Sequence, residues 1–145
     1  MTVAAGQKAR AVVNLGCGVL AGLALIFPFL WPTVFIALAP LFVATVATNR
    51  TRRQAFALGC AWGAGLMGVS LSFIFAMLPL DWLGVGVPLV GDVAAAGLWL
   101  VLTSILAAPV GLFAVFLWYL REARGGVLAC ILPIAWVLLE LARAS

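Results

Sequence analysis

Three cysteines are the side chains of this sequence best suited to nucleophilic chemistry, because a thiolate is a strong nucleophile near neutral pH. Cys17, Cys60 and Cys130 each lie inside an apolar run, and no two of them have the spacing of metal ligands. The sequence contains no histidine, which removes the commonest general base and the commonest metal ligand. We therefore interpret the cysteines as small buried hydrophobic residues. We predict no catalytic, cofactor-binding or metal-ligating residue in this chain.

Glu140 is the most informative of the four acidic residues, because a carboxylate in or near an apolar segment is costly and usually paired or functional. Arg143 follows three residues later, so an ion pair on one helix face is one interpretation and a role in a site is the other. Asp81 and Asp92 lie in a predicted loop without a basic or metal-binding neighbour. From these residues alone we would not infer an enzyme.

The segments that contain these residues have the composition of a membrane protein. The sequence is 67% hydrophobic and 8% charged with a mean hydropathy of +1.29, whereas a soluble domain is about 45–50% apolar and about 25% charged. In hydrocarbon every backbone amide needs a partner, so the apolar runs must be helices. The sequence therefore predicts an all-α, multi-pass transmembrane bundle.

Five apolar segments approach the roughly 20 residues that a spanning helix needs. We predict helices over residues 11–27, 33–48, 54–78, 93–120 and 127–143, all in a single transmembrane domain, 1–145. Pro28 and Pro32 predict a tight turn between the first two helices, and Pro79 ends the third. Pro109 provides a place for the long fourth helix to kink.

The basic residues give the topology. They lie in clusters before the first helix, between the second and third, and after the fourth. If the N-terminus is cytoplasmic, seven of the eight basic residues are cytoplasmic and only Arg143 is not, as the positive-inside rule expects. The net charge of +4 is thus interpreted as a topology signal, and we expect no nucleic-acid partner.

Small residues dominate the third segment. Gly59 and Gly63, and likewise Ala61 and Gly65, are spaced four apart, which predicts small residues on one helix face and close helix packing there. A groove for a lipid chain is the functional alternative. Tryptophans near segment ends are expected to anchor the protein at the membrane surface, whereas the deeper ones should pack between helices. The first group is Trp31, Trp82 and Trp118 with Tyr119, and the second is Trp62, Trp99 and Trp136.

Four stretches, in the same order, resemble the N-terminal membrane domain of bacterial apolipoprotein N-acyltransferases. The most specific is Arg52–Gly68, which is similar to the glycine- and tryptophan-containing helix of that family. The others are Phe27–Pro32, Leu38–Phe42 and Pro133–Arg143, the last with the order Pro, Trp, Glu and Arg that the family shows. Ser72 and Phe73 depart from it, because the family usually has a tryptophan after the glycine-rich helix.

The resemblance implies a role in moving an acyl chain from a phospholipid to the N-terminal diacylglyceryl-cysteine of lipoproteins. In the family a Glu-Lys-Cys triad on a nitrilase-like domain performs this reaction through a thioester. No triad residue can be carried over to this sequence, which stops at Ser145. We therefore expect a fragment, a truncated product or one half of a split protein, inactive alone, in a bacterial cytoplasmic (inner) membrane.

The expected partners are membrane phospholipid, a lipoprotein substrate and a separately encoded catalytic domain. A small transporter subunit, or a helical scaffold that oligomerises through its glycine face, is the alternative from another functional class. A transporter would be expected to place polar groups at mid-membrane on facing helices, often with broken helices. Pro40 and Pro109 allow breaks, but the deep polar groups are only uncharged hydroxyls and Asn14, so we rank this alternative lower.

Overall fold

The computed structural model describes residues 2–46, 51–79, 84, 87–121, 134–138 and 141; most of these are helical, and none of them is in a strand. The helices are α1 (Thr2–Ile26), α2 (Thr33–Val46), α3 (Arg52–Ser70), the single turn α4 (Phe73–Ala76) and α5 (Pro88–Leu120). Residues 134–138 are also helical, inside the predicted fifth segment, whose other residues lie largely outside the described part.

Three of these helical stretches are long and apolar enough to cross a membrane: Gly6–Ile26, Arg52–Ala76 and Pro88–Leu120. The 14 residues of α2 rise only about 21 Å, less than the roughly 30 Å of a bilayer core. The prolines between α1 and α2 form the predicted turn as a 3₁₀ helix, Pro28–Leu30. The fold class is therefore confirmed, and the described helices include three of spanning length.

Helix ends differ from the predicted boundaries for local reasons. The first helix begins at Thr2 instead of Ala11 because a helix can continue beyond the membrane surface with Lys8 and Arg10 in water. A capping box between Thr51 and Gln54 starts α3 two residues before its predicted start. Pro88 occupies the first turn of α5, where proline costs no hydrogen bond, so Pro88–Asp92 are helical instead of loop.

The predicted third helix, 54–78, is interrupted at Ser70. The hydroxyl of Ser70 donates a 2.8 Å hydrogen bond to the carbonyl of Leu66, a bond that loosens and bends helices. The amide of Ser72 then bonds the carbonyl of Val69 instead of that of Gly68. The chain turns through Leu71 and Ser72 before α4 resumes.

The central helix is α3, which packs between α1 and α5 through glycine on two faces. Gly18 of α1 lies against the backbone of Trp62, and Gly22, one turn later, lies against Val69, so α1 and α3 run parallel. On the other face Gly59 lies against α5.

Contacts along α3 and α5 run in opposite senses. Gly59 meets Ala114, whereas Gly63, one turn further along α3, meets Ala107 earlier on α5. These two helices are therefore antiparallel. The starts of α1 and α3 and the end of α5 lie together at one end of the bundle, and Asp92 lies at the opposite end.

Trp62 is the centre of the core and is fully buried. Its indole N–H donates a 2.8 Å hydrogen bond to the carbonyl of Ala37 on α2. Trp136 packs edge to face on Trp62 with 5.8 Å between ring centroids. Trp99 donates a 2.9 Å hydrogen bond to the carbonyl of Gly68, which the break after Ser70 leaves without its helical donor. The prediction that the deeper tryptophans pack between helices is confirmed.

The outward surface of the bundle is apolar. More than half of the side chain remains exposed at many large hydrophobic residues on several helices, including Phe35, Leu98 and Ile105. A soluble monomer rarely shows so extensive an apolar surface, whereas lipid tails make such exposure favourable.

Candidate functional site

The outer surface of the bundle has an open apolar groove among the described residues. We call it the apolar groove; its volume is about 390 Å³, and it is lined by Pro109, Leu112, Phe113, Phe116, Ala135 and Leu138. The first four residues come from α5 and the last two from the helical segment 134–138.

Helical periodicity explains the α5 wall of the groove. Positions 109, 112, 113 and 116 follow the spacing that places side chains on one helix face. Phe113 is buried and supports this wall from behind by packing edge to face on Trp136, with 5.4 Å between ring centroids. Leu112 is 63% exposed and Phe116 is 41% exposed, so the groove opens toward the surroundings of the bundle.

The groove lies in the half of the bundle that contains the end of α5. With a rise of about 1.5 Å per residue, Phe116 is about 6 Å and Pro109 about 17 Å before Leu120 along the helix axis. An apolar chain in the groove would therefore belong to the lipid leaflet at that end.

Basic residues gather at the same end, which we call the basic end: Lys8 and Arg10 on α1, Arg52 and Arg53 on α3, and Arg121 after α5. Asp92 is the one acidic side chain in the described part of the chain, and it lies at the far end. The turn 27–32 and the connection 71–91 contain no lysine or arginine. The segregation of charge that the sequence predicts is thus present in the packing of the helices.

Two aromatic rings join two of these cations. The guanidinium of Arg52 donates a 3.1 Å hydrogen bond to the hydroxyl of Tyr119. Tyr119 packs edge to face on Trp118 at 5.1 Å, and the guanidinium of Arg121 lies 4.1 Å from the centre of the Trp118 ring. The rings predicted as surface anchors therefore also position arginine side chains.

Most polar side chains inside the described helices bond back to their own helix. Asn14, Thr45, Ser70 and Ser104 each donate to a carbonyl three or four residues earlier. Thr103 differs, because its buried hydroxyl has no hydrogen-bond partner among the described residues. The side-chain oxygen of Asn14 is likewise buried and unpaired there.

The glycines of α3 confirm the packing interpretation but on two faces instead of one. Gly59 and Gly63 contact α5, whereas Gly65 contacts α1 at Leu15 and Val19. Positions 59 and 61 are about 200° apart around a helix axis, so their four-residue pairs point in opposite directions. Because neighbouring helices occupy both faces, the glycines of α3 do not form the groove for a lipid chain that was the alternative interpretation.

Residues with reactive groups do not converge in the described part. Cys17 and Cys60 are half-buried free thiols on different helices, and no group of three or more His, Cys, Asp or Glu that could hold a metal occurs among the residues described. Cys130, Glu140 and Arg143, together with Asp81 and Trp82, lie outside those residues. Ser72 and Phe73 are exposed in the turn after α3.

The groove was not predictable from the sequence. Pro109 predicts only a place for a kink, and no pattern within one helix shows that segment 134–138 packs beside α5. The exposed, regularly spaced Leu112 and Phe116 were the available signal, but in a membrane helix exposed apolar residues are the rule.

Packing, apolar surface and charge segregation define this chain as a helical membrane domain. The sequence matches the family described as the apolipoprotein N-acyltransferase N-terminal domain over residues 17–145. The chain belongs to that family.

A relative named apolipoprotein N-acyltransferase, from Nostoc sp., is 41% identical over 58 residues. The aligned stretch covers 38% of this chain and 12% of the relative. No solved structure matches the chain.

Proposed function

We propose that this chain is the membrane platform of an apolipoprotein N-acyltransferase-like protein. It holds a catalytic domain at the surface of a bacterial cytoplasmic membrane, where phospholipid and the N-terminal diacylglyceryl-cysteine of a lipoprotein meet. The observation that carries the proposal is the glycine-packed α1–α3–α5 bundle within a chain that matches this family's N-terminal domain.

Rigidity is what such a platform needs. Backbone-to-backbone approach at Gly18, Gly59 and Gly65 leaves no space for a β-carbon, so the three helices have little freedom to slide. A catalytic group displaced by about 1 Å can lose a hundredfold in rate, so a stiff anchor preserves the geometry between the catalytic domain and the lipid surface.

The orientation follows from charge. We propose that the basic end faces the cytosol, because short arginine-rich loops stay on the cytoplasmic side when a membrane protein is inserted. The opposite end, with α4 and the start of α5 around Asp92, then faces the compartment where the catalytic domain acts on lipoproteins.

The acyl-transfer chemistry belongs to the catalytic domain, on the same or another polypeptide. A Glu-Lys-Cys mechanism needs a lysine beside a cysteine, and the only lysine here is Lys8, on the first helix. Cys60 lies on the face of α3 that packs against Gly111 of α5, so Lys8 and Cys60 do not form a pair.

Two experiments test this division of roles. The 145-residue chain in phospholipid vesicles should yield no N-acylated product from a diacylglyceryl peptide by mass spectrometry, whereas the Nostoc sp. relative should yield it. A chimera in which this chain replaces the matching region of that relative should retain acyl transfer, and the same chimera with Gly59→Leu should lose it. Turnover by the chain alone, or an inactive chimera that is well folded, contradicts the proposal.

The alternative of a scaffold that oligomerises through its glycine face is less well supported. Both glycine faces of α3 are covered by helices of the same chain. The buried Asn14, Thr45 and Thr103 are uncharged and lie on three different helices, which favours packing over a transport path.

A further inference from the structure

The basic end and the apolar groove are neighbours along the last part of α5, and the groove lies about 6–17 Å deeper than Leu120 along the helix axis. We propose that together they bind one anionic phospholipid of the leaflet at the basic end. Its phosphate lies at Arg52 and Tyr119, and one acyl chain lies in the apolar groove. This lipid is a bound structural partner distinct from the acyl donor of the proposed function, and binding is measured without any acyl transfer.

Geometry links the two parts. Leu112, Phe116 and Tyr119 follow the spacing of one helix face, and Leu112 and Tyr119, seven residues apart, differ by only about 20° around the axis. The line of the groove therefore leads from Pro109 past Phe116 to the tyrosine hydroxyl. That hydroxyl is already in contact with the guanidinium of Arg52 at 3.1 Å.

Charge favours an anion at this place. Arg52 is exposed, and its hydrogen bond to the neutral hydroxyl of Tyr119 involves one of the five N–H donors of its guanidinium. Arg53 is the next residue and is exposed as well. Within the described residues the one carboxylate, Asp92, is at the other end of the bundle, whereas five basic residues are at this end.

The site is partly organised before a lipid arrives. Holding Arg52 on Tyr119 reduces the side-chain freedom that would be lost on binding. A guanidinium also matches the geometry of phosphate oxygens with two parallel donors, which distinguishes it from a general positive surface. Because the groove leads toward the headgroup position, burial of an acyl chain of the same lipid in the groove adds to the binding free energy.

Native mass spectrometry of the detergent-solubilised chain tests the proposal. The probes are phosphatidylglycerol and phosphatidylethanolamine with identical acyl chains. We expect phosphatidylglycerol to bind roughly tenfold more tightly, and Arg52→Gln to remove that preference, as loss of a charge-assisted contact predicts. Lys8→Gln is the matched control, since it removes the same charge from the same end, and it should retain the preference.

Two further variants, with one control, separate the contact to the headgroup from the contact to the acyl chain. Tyr119→Phe removes only the hydroxyl and should weaken phosphatidylglycerol binding several-fold, which keeps the test valid if Arg52→Gln folds poorly. Ala135→Leu fills the groove and should weaken binding of both lipids, whereas Ala96→Leu, at an exposed position of α5, should not.

Three results would overturn the proposal. The first is equal binding of the two lipids by the unaltered chain. The second is an equal loss in Lys8→Gln and Arg52→Gln, which would indicate a diffuse charge effect. The third is displacement of the lipid by millimolar inorganic phosphate, which would indicate a site for free phosphate without a chain.

Discussion

Gly59 is the position at which a substitution tests the packing of α3 on α5 most directly. A β-carbon there would lie 2.6 Å from the β-carbon of Ala114, 2.6 Å from the carbonyl oxygen of Val110 and 2.8 Å from the α-carbon of Gly111. Two of these three atoms are backbone, so they cannot move without moving α5. Gly59→Ala therefore forces the two helices apart.

The change in the free energy of unfolding expected for Gly59→Ala is the balance of two opposing effects. Overpacking of a close interface costs about 1–3 kcal/mol. Replacing glycine with alanine inside a helix returns up to about 1 kcal/mol. The net loss for Gly59→Ala is then about 0–2 kcal/mol, too close to zero for a single variant to be decisive.

Gly97→Ala isolates the packing term. Gly97 is also inside a long helix, but a β-carbon there would meet nothing within 4 Å. Its helix-propensity gain matches that of Gly59→Ala, so the difference in stability between the two variants is the overpacking cost alone. We expect Gly59→Ala to be less stable than Gly97→Ala by about 1–3 kcal/mol.

The assay is unfolding of the purified chain in mixed detergent micelles by increasing mole fraction of sodium dodecyl sulfate, followed by tryptophan fluorescence and circular dichroism. The midpoint for Gly59→Ala should fall below that of Gly97→Ala. If both variants unfold at the same midpoint, the antiparallel α3–α5 contact is incorrect, and the platform proposal loses its main support.

Three other substitutions test individual hydrogen bonds, two by the same unfolding assay and one by hydrogen exchange. Trp62→Phe removes a buried indole hydrogen bond and should cost about 1 kcal/mol or more, whereas Trp31→Phe, at an exposed turn, should change little. Trp99→Phe leaves the carbonyl of Gly68 without its donor, so faster hydrogen exchange is expected at the end of α3; unchanged exchange would argue against this cap. Thr103→Val removes a buried hydroxyl with no partner in the described part and should be neutral or stabilising; a loss above about 1 kcal/mol would reveal a missed partner.

Sequence patterns predicted the membrane class and the charge segregation because both depend on composition along one chain. Long apolar runs and the three arginine-bearing clusters need no knowledge of tertiary contacts. The glycine spacing of α3 likewise predicted close packing, and Gly59, Gly63 and Gly65 do contact neighbouring helices.

Features that depend on two helices were not predictable in this way. The apolar groove needs Ala135 and Leu138 beside α5, and the link between Arg52 and Tyr119 joins residues 67 positions apart. The break at Ser70 also escaped prediction, because a run of apolar residues continues through it and the competing serine hydrogen bond is a local detail.

The accessibility of introduced cysteines to a labelling reagent tests the central claim, which is that the two ends of the bundle lie on opposite sides of the membrane. In a chain with Cys17, Cys60 and Cys130 replaced by alanine, Gln7→Cys marks the basic end and Asp92→Cys marks the other; both positions are exposed. In bacterial spheroplasts an impermeant maleimide should label Asp92→Cys at once and Gln7→Cys only after the membrane is permeabilised. Labelling of both positions from the same side would contradict the account.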